Sequence, residues 1–317
     1  MRRKAAGPVR GLAAALGNRR RTIAFCASCR FRRIAKHSRK GRKRPPPTWN
    51  VVLLQPFADI WRQRELFRAI LTRELQVRFR GSVFGWAWAV LAPLVMLSIY
   101  TLVFSGALKV GAVQEGGGHF GYAFSIFVGL VVFNFFAEIA YRAPLLLAEH
   151  KHIIRRSIFP PQILAWIAVA RGGVYMLIAL GVLLTGQILI NQSIHWSWLA
   201  LPFILVPLCL CLLGIVWILS TIGALTSDLN HLIISIIPVA MFATPVFYEV
   251  SNVPEGWRWL VYLNPLSGII EMMRAAILRG TWPDGLLYLI CLIASFAVFY
   301  AGRTLFMRKK TILVDII

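Results

Sequence analysis

The chain has 317 residues, 58% of them hydrophobic, and a formal net charge of +23. That apolar fraction exceeds what a soluble core requires and matches a chain dissolved largely in lipid. In a soluble protein the charge would point to nucleic acid, but here the basic residues cluster at the amino end and in a few loops, so membrane topology accounts for them and no nucleic-acid partner is expected.

Residues 1–47 hold sixteen Lys or Arg and no acid and end in Pro45-Pro46-Pro47. Self-repulsion and the lack of an apolar face make 1–58 a basic, disordered tail. A start codon placed too far upstream reads equally well, with Val51 or Leu53 near the true start. Cys26, Cys29 and His37 fall short of the four ligands a structural zinc needs, so no metal is expected. Cys209, Cys211 and Cys291 lie in apolar runs, where they act as small hydrophobes.

Over residues 59–81, Ile60, Phe67, Ile70, Leu71 and Leu75 recur at helical spacing between Arg62, Arg64, Arg68, Arg73, Arg78 and Arg80. Such a helix lies flat on an anionic cytoplasmic leaflet, with Asp59 as its N-cap. Six segments are then long and apolar enough to cross about 30 Å of hydrocarbon: Ser82–Phe104, Tyr122–Tyr141, Ile163–Ile190, Trp198–Leu225, His231–Tyr248 and Leu286–Phe306. With the amino end inside, the cytoplasmic stretches carry 30 basic residues (counting Arg303 with the C-terminal tail, 307–317) and the external loops 4. Without residues 1–47 the balance is still 14 against 4. Both termini are therefore expected to be cytoplasmic.

Two connections are longer than simple turns. The cytoplasmic stretch 142–162 mixes apolar residues with Lys151, Arg155 and Arg156 and ends in Pro160-Pro161, which suits a short docking helix before the third span. In the external stretch 249–285, Asn264 as cap, Pro265 at N1 and Gly280 after the end delimit a helix. Its stripe of Leu266, Ile269, Ile270, Met273 and Ile277, with Glu271 and Arg274 beside it, suits a re-entrant element.

No G-x-x-x-x-G-K-[ST] phosphate loop occurs, so nucleotide energy has to come from a partner. No acid lies at a span centre, where an ion-coupled carrier would place one. Arg171, about eight residues into the third span and about 12 Å deep, reads either as a snorkelling anchor or as a vestibule contact. Aromatic residues at span ends form interfacial belts. Trp86 and Tyr100 share one helix face, and with Phe247, Tyr248 and Arg171 they are also candidates to line a translocation path, since sugar rings pack on aromatic planes.

FADIWRQRELFRAILTRELQVRFRGSVFGWAWAVLAPL, EHKHIIRRSIFPPQIL and ATPVFYEVSNVPEGWRWLVYLNPLSGIIEMMRAAILRG together resemble permease subunits of type 2 ABC exporters. The resemblance is strongest to those that export O-antigen, capsule or teichoic-acid polymers. It implies an all-α integral membrane protein with six transmembrane helices, an N-terminal amphipathic interface helix and re-entrant external helices before the last span. It also implies a homodimer in the bacterial inner membrane that moves a lipid-linked glycan, with ATP and Mg bound by a separate cytoplasmic ATPase subunit and no cofactor on this chain. By position, the coupling role falls on Glu149, Lys151, Arg155 and Arg156, and an ATPase-facing gate on Arg64, Arg68, Glu74, Arg78 and Arg80. The second cytoplasmic loop departs from the family's Arg-x-x-Asp-like pattern, keeping only Asp228. Export of a drug, lipid or peptide by the same fold is the alternative, and a membrane transferase using Glu249, Glu255 and Glu271 is a third reading.

Overall fold

Charged and apolar residues at helical spacing make the first element, α1 (Arg64–Phe79), an amphipathic helix. It belongs to a computed structural model that describes residues 60–103, 120–154, 160–192 and 194–316. The expectations for the tail, the Asp59 cap, Arg155 and Arg156 lie outside the described residues. Ile70 is buried and Phe67 and Leu71 pack against the core, while Arg64 and Arg68 face outward. Gly81 and Gly85, both at positive φ, then turn the chain into a 3-10 turn and α2 (Trp88–Thr101).

The remaining elements are α3 (Gly121–Arg142), α4 (Ile163–Asn191), α5 (Leu201–Leu225), α6 (Asp228–Ala243), α7 (Glu255–Leu263), α8 (Pro265–Arg274) and α9 (Gly285–Ile316). All described regular elements are helical, and the chain is an all-α integral membrane protein. Among the described residues, four stretches are long and apolar enough to cross a membrane: Gly121–Glu149, Ile163–Ile190, Trp196–Leu225 and Gly285–Leu313. Two more apolar stretches, Gly85–Thr101 and Asp228–Ala243, are shorter.

The fifth expected span, His231–Tyr248, ends earlier than its composition indicates. Pro245 disfavours helical backbone at the residue before it. Thr244 accordingly turns extended, with ψ 140°, and α6 stops at Ala243. Phe247 and Tyr248 thus lie in a turn beyond the helix. The last span runs past Phe306, and α9 remains helical to Ile316.

α5 and α9 cross closely because Gly214 and Gly302 face each other, and a Cβ on either would meet the other helix's backbone. Gly223 of α5 likewise lies against the backbone of Pro144, just after α3. Lys310 near the end of α9 donates to the Gln162 side chain at the start of α4, 3.1 Å away. At one end of the bundle these contacts bring Pro144 to the end of α5 and the end of α9 to the start of α4. Helices α7 and α8 are at the other, where Arg274 of α8 bonds the start of α3.

Candidate functional site

At the first end, side chains from four stretches distant in sequence meet in one ionic knot. Arg171 of α4, with a side chain only 4% exposed, places Nη1 3.4 Å from Glu74 of α1 and Nη2 3.4 Å from Glu138 of α3. Arg78, one turn after Glu74, donates to Glu138 at 2.7 Å and lies 4.1 Å over the Tyr175 ring of α4. Arg142 at the end of α3 bonds Glu149 at 3.1 Å and lies 3.9 Å from Glu74. His150 closes the knot, with Nε2 2.9 Å from Glu74 and Nδ1 2.9 Å from the Leu146 carbonyl. Helical spacing sets up the contacts: Glu74 and Arg78 share one face of α1, Glu138 and Arg142 one face of α3. Two one-turn helices, Leu146–Glu149 and Lys151–Ile154, carry the connection past them.

Both His150 ring nitrogens face acceptors, an arrangement the doubly protonated imidazolium satisfies. Burial pulls its pKa down, but the hydrogen bonds to Glu74 and the Leu146 carbonyl, with the charges of Glu74 and Glu149, raise it above its usual value. The Glu74 carboxyl is held below its usual value, chiefly by the His150 hydrogen bond; burial opposes this, and Arg142, His150 and Arg73 add to it. The knot therefore ties the interface helix, the second and third spans and the connection between them into one unit.

The other residues singled out for coupling surround it. Arg64, Arg68, Arg80 and Lys151 are exposed, and the Arg64 guanidinium lies 5.8 Å from the Trp61 ring centroid. Asp228 is exposed in the first turn of α6, its backbone N–H bonded to the Thr226 hydroxyl. The candidate path residues do not gather in one place. Trp86 is exposed with its ring 5.5 Å from Phe79, Tyr100 packs partly buried against the core, and Arg171 belongs to the knot. Phe247 stacks on Phe242, and its carbonyl accepts a 2.8 Å hydrogen bond from the Tyr122 hydroxyl.

At the opposite end a second buried arginine does different work. Arg274, 1% exposed, donates Nε to the Ser125 carbonyl at 3.1 Å, Nη1 to Tyr248 at 3.0 Å and Nη2 to Val246 at 2.8 Å. Its fork fastens α8 to α3 and to the turn after α6. Asn264 caps α8 by accepting from the Leu266 N–H and donates to the Thr244 hydroxyl. Ser197 donates to the Ala276 carbonyl at 2.6 Å, and Gly280 ends the element at φ 67°. Sequence reasoning placed Arg274 beside the apolar stripe. The signal for its burial was its spacing, four after Ile270 and three before Ile277, on the stripe itself. The three outer acids do not converge on a free site. Glu249 and Glu271 both pair with Arg279, at 3.4 and 2.8 Å, while Glu255 is exposed and pairs with Arg258.

A family model described as ABC-2 type transporter matches residues 65–278, which contain both arginine sites. The chain belongs to the ABC-2 type transporter family. It is 25% identical over 218 residues to the O-antigen export system permease protein RfbA of Klebsiella pneumoniae, covering 68% of this chain and 81% of that protein. Against RfbA of Myxococcus xanthus it is 23% identical over 254 residues, covering 80% and 95%. The polysialic acid transport protein KpsM of Escherichia coli is 20% identical over 254 residues, covering 78% and 95%. This ABC-2 chain is thus a multi-pass membrane subunit of a transporter family.

Proposed function

We propose that this ABC-2 chain is the transmembrane subunit of an ATP-driven exporter that moves a lipid-linked polysaccharide across the bacterial inner membrane, powered by a separate cytoplasmic ATPase subunit. The observation that carries the reading is alignment with O-antigen export permeases over as much as 80% of this chain and 95% of the relative. The knot supplies a mechanism. A partner docking on the exposed Lys151 and Arg64–Arg68 surfaces would push on the 142–162 connection. Glu74, Arg142, His150 and Arg171 would pass that push to α1, α3 and α4 together, as two-state elements transmit force through packed, paired contacts.

A second copy of the chain completes this reading. Helix α2 buries only Leu97 and α6 only Ile233 and Ile237, leaving apolar faces for lipid and for a homodimer partner. The basic residues around α1 and at Arg308, Lys309 and Lys310 support cytoplasmic termini in this reading. The test is reconstitution of the chain with its ATPase in proteoliposomes carrying lipid-linked polysaccharide. ATP turnover should rise with the glycan present, whereas turnover indifferent to every lipid-linked glycan, but stimulated by a drug or peptide, would overturn the reading.

A further inference from the structure

Two cavities meet at the Arg78–Glu138 pair. One is a cleft of about 610 Å³ at the knot, lined among others by Arg73, Arg78 and Arg142 and by Glu74, Glu138 and Glu149. The other is a slot of about 380 Å³ between α2, α3 and α4, walled by Trp88, Met96, Phe127, Phe135, Met176 and Ala179. Arg78 and Glu138 line both. Along α3 the slot runs from Glu138 to Phe127. At 1.5 Å per residue that is about 16 Å, close to half of the roughly 30 Å hydrocarbon core, or the depth of one leaflet.

Arg73, Arg78 and Arg142 line the cleft in equal number with the carboxylates Glu74, Glu138 and Glu149, and buried Arg171 behind them adds one positive charge by pairing with Glu74 and Glu138. Glu74 is engaged by His150 and Arg171, Glu138 by Arg78 and Arg171, and Glu149 by Arg142. Arg73 and His152 make no ion pair among the described residues. A charged cleft with Arg73 left free of an ion pair among the described residues, and Arg171 behind it, therefore opens on an apolar slot about one leaflet deep.

We infer that this pair of cavities binds an anionic phospholipid of the cytoplasmic leaflet, with its phosphate in the cleft beside Arg73 and Arg78 and one acyl chain in the slot between α2, α3 and α4. Charge decides the headgroup, and the slot's depth decides the chain. The lipid fills the space beside α2, which buries only Leu97, and seats α1 against the bundle. Because the site lies within one protomer, it does not depend on what the exporter carries.

Native mass spectrometry of the full-length chain, released from nanodiscs, tests this with phosphatidylglycerol and phosphatidylcholine of identical acyl chains. Phosphatidylglycerol should be retained at one per chain and about five-fold over phosphatidylcholine, the factor expected for roughly 1 kcal/mol per basic residue near the surface. Ala179→Phe, which fills the slot, should remove retention of both lipids. Arg73→Gln, at an exposed position, should keep retention but bring the two headgroups to near parity. Equal retention of both headgroups by the unchanged chain, or undiminished retention by Ala179→Phe, would overturn the assignment. So would displacement of phosphatidylglycerol by an equimolar polyprenyl phosphate, which would give the slot to a lipid carrier instead.

Discussion

The two buried arginines answer the same physical problem in opposite ways. Arg171 is balanced by two carboxylates on other helices, and those carboxylates are shared with Arg78, Arg142 and His150. Arg274 has no carboxylate in its fork and gives its donors to three backbone carbonyls. The inner arrangement depends on several side chains on different elements, among them His150, whose pKa, despite burial, is raised by its hydrogen bonds to Glu74 and the Leu146 carbonyl. The outer one holds backbone to backbone, so it fixes the external helices. Under the proposed function, the adjustable end would face the motor and the fixed end would cap the far side.

The largest effect should come from breaking the fixed end. Arg274→Leu removes three charge-assisted hydrogen bonds and orphans buried carbonyls, each bond contributing about 1.5–3 kcal/mol. We expect a loss on the order of 5 kcal/mol, read as a collapse in folded yield and melting temperature in detergent. Arg274→Lys should recover only a minor part, because a lysine cannot span all three acceptors. Arg171→Ala should rank next, at about 3–5 kcal/mol, because it strips a buried cation from two carboxylates. Following it with Glu74→Gln should cost less than the two separate losses combined, which a double-mutant cycle on melting would detect.

A smaller effect separates the two ends by pH. His150 has a raised pKa in the folded chain, so its contribution is fully present below its usual 6.5 and is lost as pH rises through the raised value. Glu74 has a lowered one, so its contribution is present above its usual 4.5 and is lost only as pH falls through the lowered value. The melting difference between the unchanged chain and His150→Gln should be greatest between those two usual values and shrink on the alkaline side. Arg274→Lys should show no such pH dependence over the same range. Smallest of all, Lys151→Glu should leave melting within about 0.5 kcal/mol of the unchanged chain and lower only the stimulation of the partner ATPase.

How much of this was legible depended on range. Local signals read correctly: Asn264, Pro265 and Gly280 bounded the external helix, and the apolar spacing of Phe67, Ile70 and Leu71 gave the buried face of α1. The knot was not legible as a knot. Its members were recognisable singly, Glu74, Arg78 and Glu149 through the family resemblance and Arg171 as a basic residue inside a span. Their pairing, however, joins separate elements far apart in sequence, 60 residues in the case of Arg78 and Glu138, and spacing along a chain carries no such information. The end of α6 was misplaced for a local reason, because hydropathy alone ignores what Pro245 does to the residue before it.

The most direct test of the central claim, that the knot passes the motor's push into the membrane helices, uses the chain reconstituted with its ATPase. Glycan export and ATP turnover would be measured side by side for the unchanged chain and for Glu74→Gln, which leaves the exposed docking surface intact. The account predicts that ATP turnover persists while glycan export falls. Export and turnover both equal to those of the unchanged chain would contradict it.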